Sequence, residues 1–189
     1  MSHRHTTLRR RNQRGASLLE VLITILIMSF GLLGIAGLTA ASLQATKMAQ
    51  FQTTGLQLVN DYAERMRGNA LGVGANAYDM TASYTGSTAS VTVPTCATAD
   101  ACTSAELASI DRAEWTNNLR QRLPAGGAYV QRNGLTVDVW IMWQEPNQRF
   151  DDDSDLAVAS TGGSQCPAAA LAGYSGDPPP ICMYYRVSI

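Results

Sequence analysis

Arg14-Gly15-Ala16-Ser17-Leu18-Leu19-Glu20-Val21-Leu22-Ile23 opens the stretch that decides how this chain is organised. Ahead of it lie Arg4, Arg9, Arg10 and Arg11 with no acid, and after Glu20 no charge occurs until Lys47. About 20 helical residues suffice to cross a bilayer, so residues 21–45 predict a membrane-spanning helix. The few Thr, Ser and Gly residues in the run are tolerated in such helices. The arginines on its N-terminal side predict a cytoplasmic N-terminus and a translocated C-terminal body. A secretory signal has an apolar core of roughly 7–15 residues and a small-x-small cleavage site before polar sequence. This run is longer and lacks that site, and the arginine flank argues against a buried core helix. Glu20 stands at the mouth of the apolar run, where an ionised acid moved toward the bilayer centre costs about 2.5–3.5 kcal/mol. Two readings of it stay open on physics alone. It either reaches the headgroups and complements the helix dipole, or it is held there for a partner.

The rest of the composition narrows the chemistry. The chain has 189 residues, 46% apolar and 15% charged, against about 25% charged in an average soluble domain. Its 14 basic and 15 acidic residues sum to −1, which argues against a chain-wide nucleic-acid footprint. The histidines are His3 and His5 alone. The body therefore cannot build Ser-His-Asp, Cys-His or His-zinc centres. No spacing points to the paired carboxylates of a glycosidase. The chain reads as non-enzymatic, with no cofactor and no resident metal.

Helical periodicity continues past the apolar run. Met48, Phe51, Gly55, Leu58, Val59, Tyr62 and Met66 fall at spacings of three and four, an apolar stripe on one face. No Pro interrupts residues 16–67, Gly68-Asn69 supplies a stop, and Arg65 and Arg67 suit a last turn. The expectation is one helix of about 50 residues, roughly 75 Å long at 1.5 Å per residue. Residues 16–45 form its membrane or filament-core half and residues 46–68 its amphipathic half, lying on a sheet. Gly31, Gly34 and Gly37 recur at every third position. Each costs up to about 1 kcal/mol of helix propensity in water and lets helices approach closely in a membrane.

Residues 69–189 read as a globular body. Residues 71–99 are rich in Gly, Ala, Ser, Thr and Tyr, a loop with short extended pieces such as 89–93. Thr103 and Glu106 have capping-box spacing. Leu107, Ile110, Trp115, Leu119 and Leu123 then predict an amphipathic helix, or two broken near Asp111, ending before Pro124. Residues 129–131 and 135–143 predict strands joined around Asn133-Gly134, a hairpin signal. In the second, Leu135, Val137, Val139, Ile141 and Trp143 alternate with Thr136, Asp138, Trp140 and Met142, so one face is apolar and the other mixed. Residues 181–189 predict a third strand. Helix first and antiparallel strands later is an α+β pattern.

The four cysteines, Cys96, Cys102, Cys166 and Cys182, all lie in the translocated part, where disulfides persist. Of three possible pairings, sequence-local closure favours Cys96 with Cys102 and Cys166 with Cys182. Zinc binding and redox catalysis both lack a Cys-x-x-Cys spacing. Asp151, Asp153 and Asp155 match the first three ligand positions of a calcium loop, but Leu156 replaces its glycine and Gly162 its terminal glutamate. A solvated acidic loop is the better reading.

The opening stretch resembles the class III signal of type IV prepilins and pseudopilins, in which a short basic leader ends in Gly and a Glu stands fifth in the mature chain. That resemblance implies cleavage between Gly15 and Ala16 by a prepilin peptidase, methylation of the new N-terminus, and Glu20 as the assembly carboxylate, pairing with the N-terminal amine of an adjacent subunit. Ala16 stands where the family usually has Phe. Residues 17–22 and 29–38, then Trp115, Leu119, Leu123-Pro124-Ala125-Gly126-Gly127 and the strand ending in Trp143, resemble the PilV type of minor pilin. The resemblance implies a type IV pilin-like fold, with a long N-terminal helix on a small antiparallel sheet. Residues 1–15 would be the leader and residues 69–189 a periplasmic domain. The chain would start in the inner membrane and then enter the pilus at the cell surface. Partners would be the prepilin peptidase, other major and minor pilins and the inner-membrane assembly platform, in support of pilus assembly, adhesion and twitching motility. A minor pseudopilin of a type II secretion system shares all these marks. A DNA-uptake pilin would need a basic aromatic patch, whereas loss of the five leader arginines leaves nine basic residues against 15 acids, or −6.

Overall fold

The computed structural model describes residues 17–98, 101–144, 166–176 and 179–189. They fall into two units, Met1–Lys47 and Met48–Ile189. Helix α1 (Leu18–Gly68) is continuous through 51 residues. In the first unit no helical residue is buried. The side chains of Thr24, Ser29, Thr39 and Thr46 each donate to a carbonyl one turn back, on Val21, Ile25, Ala36 and Ser42, at 2.8 Å. The hydroxyls are thereby satisfied within the helix, which is what an apolar surrounding demands.

In the second unit the same helix turns amphipathic, as its periodicity predicts. Gly55, Leu58, Val59, Tyr62, Ala63 and Met66 are buried, with Met48 and Phe51 packed at the edge of the core. A short helix α2 (Ala70–Gly74) follows, and after a long irregular stretch comes α3 (Ser104–Arg122). Strands β1 (Gly127–Asn133), β2 (Thr136–Trp143) and β3 (Ile181–Ser188) form one antiparallel sheet in the order β1-β2-β3. Val130, Val137, Val139, Ile141, Trp143 and Ile181 share one core with α1 and with Trp115 and Leu119 of α3. Tyr62 stacks on Trp115 with ring centroids 4.2 Å apart, and Trp115 Nε1 donates to Leu58 O at 2.8 Å. The result is the expected α+β, type IV pilin-like architecture, a long N-terminal helix followed by a small antiparallel sheet.

Several local expectations are corrected. The stretch read as loop from residue 71 contains α2, because Asn69 both ends α1 and caps the next helix, accepting from Gly72 N–H at 3.2 Å. Of the two readings left open around Asp111, the structure forms the single unbroken helix. Its inner face carries Ala108, Trp115 and Leu119, while Leu107 is exposed and Ile110 half-buried. Residues 89–93 join no sheet ladder. In the hairpin Asn133 pairs with Thr136, so the turn is Gly134-Leu135, with Gly134 at φ +67°, a Gly-first hairpin turn. Leu135 therefore lies at the turn, 82% exposed, and not on the apolar face.

The two glycines at the start of β1, Gly126 just before it and Gly127 its first residue, are fixed by close approach. A Cβ on Gly126 would come within 2.5 Å of the Leu119 carbonyl oxygen, and one on Gly127 within 2.5 Å of the Tyr84 ring. Tyr84 packs on the second sheet face with Tyr129, Met142, Ala170 and Cys182. Disulfides join Cys96 to Cys102 and Cys166 to Cys182.

Candidate assembly site

The exposed apolar length of α1 is the chain's most unusual surface. From Leu18, 91% exposed, to Leu43, its Leu, Ile, Val, Met and Phe side chains are exposed among the described residues. A contiguous apolar surface of this kind marks a membrane or protein contact, and the helix is long and apolar enough to cross a membrane. Gly31, Gly34 and Gly37 face open space, with nothing inside 4 Å of the Cβ each lacks. Their small size answers no packing need among the described residues.

The helix begins at a built cap. Ser17 Oγ accepts from Glu20 N–H at 3.2 Å, and the Ser17 carbonyl accepts from Glu20 and Val21 N–H at 3.0 and 3.2 Å. Glu20 thus sits in the first turn, exposed, where the helix dipole favours a carboxylate. Ser17 is a residue that sequence reasoning passed over, although its spacing to Glu20 is that of Thr103 to Glu106. At Thr103 the capping box is complete. Hydrogen bonds from the Thr103 N–H and hydroxyl and from Ala97 N–H hold the Glu106 carboxyl below its usual range. Gly15, Ala16, Asp151, Asp153 and Asp155 lie outside the described residues. Among those described, no cluster of His, Cys, Asp and Glu is fit to hold a metal ion.

The other end of α1 is fixed to the body by a polar knot. Arg65 Nη1 donates to Asp111 Oδ1 at 3.0 Å and to Glu114 Oε2 at 2.8 Å, both on α3. Tyr78 donates its hydroxyl to Asp111 Oδ2 at 2.5 Å, and Asn69 Nδ2 donates to Ser104 O at 2.7 Å. Burial acts to lower the Arg65 pKa, but Glu114, Asp61 and Asp111 outweigh it and leave it raised. Burial, then the bond to Asp111, pushes the Tyr78 hydroxyl up to about 12. The polar residues at 65 and 111 are thus paired across two helices, which removes most of the penalty for placing them against a core.

Residues 10–36 match the family model described as the prokaryotic N-terminal methylation motif, and residues 37–113 match the one described as Type IV pilin Tt1218. The chain carries a type IV pilin domain behind an N-terminal methylation motif. Type IV pilins are structural subunits, not enzymes. The methylation motif implies processing by prepilin peptidase and assembly with other pilins in a membrane-associated system. The two matched stretches abut within α1, and the pilin match runs through α2, the Cys96–Cys102 loop and the first half of α3. No curated protein and no solved structure matches the chain.

Proposed function

We propose that this chain is a minor pilin of the PilV type, made as an inner-membrane prepilin and incorporated into the type IV pilus or its initiating complex. In this reading residues 1–15 are a cytoplasmic leader, cut between Gly15 and Ala16 by the prepilin peptidase. Residues 16–45 cross the membrane and then enter the filament core. Residues 46–68 carry the amphipathic half of the helix, and residues 69–189 form the periplasmic domain. The observation that carries it is the contrast along α1. Residues 18–46, which the methylation motif enters, expose an apolar surface with the hydroxyls of Thr24, Ser29, Thr39 and Thr46 bonded inside the helix, whereas from Gly55 onward the same helix supplies core.

The chemistry of assembly follows from Glu20. In an apolar surrounding an unpaired carboxylate is penalised. Pairing with the N-terminal amine of a neighbouring subunit would relieve that penalty in one register only. The Ser17 cap fixes Glu20 in the first turn of the helix through its backbone N–H. The junction of Trp115, Leu119 and Leu123-Pro124-Ala125-Gly126-Gly127, whose glycines are fixed by contact, supports the PilV assignment.

N-terminal sequencing of the protein purified from membranes and from sheared pili tests the reading. The expected residue is N-methylated Ala16. An unprocessed chain, or one cut well past Ala16, overturns it. Loss of secretion with pili intact on deletion would instead make the protein a minor pseudopilin of a type II secretion system.

A further inference from the structure

The sheet face turned away from α1 carries a second cluster of aromatic and polar residues. Its residues lie in register as rows across the three strands. The row through Met142 and Cys182 is covered by Tyr84 and Ala170. Beside it runs an aromatic row, Tyr129 opposite Trp140 opposite Tyr184. Ring centroids are 5.8 Å apart for the first pair and 5.0 Å for the second. The next row is Gln131, Asp138 and Arg186.

Exposure grows along the aromatic row. Tyr129 is buried, Trp140 is half-buried, and Tyr184 is 39% exposed. Tyr184 is held in place, since its hydroxyl donates to Asp138 Oδ1 at 2.6 Å and the Arg186 guanidinium lies 5.8 Å from its ring centroid. Arg186 Nε also donates to Asp138 at 2.7 Å, so the cation on this row is neutralised. Among the described residues none accepts from the Trp140 indole N–H. Gln131, in the neighbouring row, is exposed.

We propose that this face is a binding surface for a neutral carbohydrate. Trp140 and Tyr184 would stack against the C–H face of a sugar ring, and the Trp140 N–H and Gln131 amide would hydrogen-bond its hydroxyls. Aromatic rings with an apolar body and a polar tip suit a ligand that is apolar on one side and hydroxylated at its edge. The charge pattern selects against the alternatives. Nucleic acid needs several free cations along a stacking surface, and the one cation on these two rows is already paired. An anionic glycan meets the same lack. The ring of Tyr184 is preorganised by Asp138, so little freedom is lost on binding. The inference is independent of where the chain assembles.

The test uses the full chain in lipid nanodiscs, free of sugar-headgroup detergents. The probes are linear hexasaccharides of glucose and of N-acetylglucosamine, a sialylated trisaccharide, and single-stranded DNA. Saturation-transfer NMR should show contact to the ring C–H protons of at least one neutral hexasaccharide. Intermolecular cross-peaks should reach the Trp140 and Tyr184 rings. Trp140→Ala and Tyr184→Ala should each weaken that binding, by roughly tenfold or less, the span that one aromatic contact supplies. Trp140→Ala is compared with wild type by thermal melting. If it does not fold, the cross-peaks in the wild type and the Tyr184→Ala variant decide. No transfer to either neutral probe, binding unchanged in both variants, or binding of the anionic probes alone overturns the proposal.

Discussion

Asn117 pairs with Val91 as a neighbouring strand would. Val91 N–H donates to Asn117 Oδ1 at 2.8 Å, and Asn117 Nδ2 donates back to Val91 O at 2.9 Å. One side-chain amide thereby satisfies both backbone groups of a residue that belongs to no sheet. Arg120, one turn further along α3, donates to Ala89 O beside it. The extended piece is thus tied to a helix and not to a strand.

Asn117→Ala should destabilise the body by about 1–2 kcal/mol, the usual cost of leaving partly buried backbone groups without partners. Chemical denaturation reads that loss. Hydrogen exchange reads its location, since protection at Val91 should vanish while that at Val139, in the centre of the sheet, stays in proportion to global stability. Asn117→Asp keeps the acceptor and loses the donor, so it should fall between wild type and Ala. Equal stability and equal Val91 protection in wild type and Asn117→Ala would show that the pairing contributes nothing.

Alkaline pH should find the buried tyrosines. Burial, then the bond to Asp111, pushes Tyr78 up to about 12, and burial raises Tyr62 and Tyr84 as well. An unfolded tyrosine ionises near pH 10. Between about pH 10 and the higher folded values the unfolded chain gives up protons that the folded chain keeps, so stability declines as pH rises through that window. Below it the full stability is present. Tyrosinate absorbance should therefore rise in two stages, the later one coinciding with loss of near-ultraviolet circular dichroism. A single stage near pH 10 with the fold intact would contradict the burial of Tyr62.

Acid should act on Asp138. The bond from Arg186, then that from the Tyr184 hydroxyl, holds its carboxyl below the ordinary range despite burial. The stabilisation is present above the unfolded value of about 3.9 and is lost as pH falls through the lower folded value. Asp138→Asn should cost about 1–2 kcal/mol at neutral pH, because the amide oxygen can still accept from Tyr184 and Arg186 but the charge that strengthens both bonds is lost. The gap to wild type should close once both states of the wild-type carboxyl are protonated. Denaturation midpoints across acid pH check this, and a gap that persists at the lowest pH would assign the loss to packing.

What the sequence made legible was what depends on local pattern. Charge segregation and a run without Pro mark α1, and period-two alternation marks β2 and β3. Other details depend on partners that the local pattern does not show. One helix or two around Asp111 stays open in the sequence because its partners, Arg65 and Tyr78, lie 46 and 33 residues away. Asn69 looked only like a stop because a C-terminal stop and an N-cap use the same residue type. The hairpin turn sits one residue beyond Asn133-Gly134 because register is set by packing Val137, Val139 and Ile141 into the core, which outweighs the preference of the turn dipeptide. At the assembly site the acid and the apolar run are legible as charge and hydropathy, but the Ser17 cap acts through the Glu20 backbone N–H, which no charge or hydropathy pattern marks.

The glycines divide into two groups that should respond oppositely to Ala. At Gly126 a Cβ would meet the Leu119 carbonyl, a backbone atom within a helix that cannot yield, and at Gly127 it would meet the ring of Tyr84, pinned by its hydroxyl bond to Ala125 O at 2.5 Å. Each substitution should lower stability by about 1–3 kcal/mol or more, as overpacking does, with Gly126→Ala the more severe. At Gly31, Gly34 and Gly37 the space is open and the backbone helical, so Ala should leave the melting of the body unchanged. Any consequence there must arise between molecules. Gly34→Leu, which adds bulk without disturbing the fold, should then lower the amount of this subunit in sheared pili while its level in the membrane stays the same. Quantitative mass spectrometry of the two fractions measures both. Equal recovery of Gly34→Leu and wild type from pili would mean that neighbouring helices do not pack closely at this position.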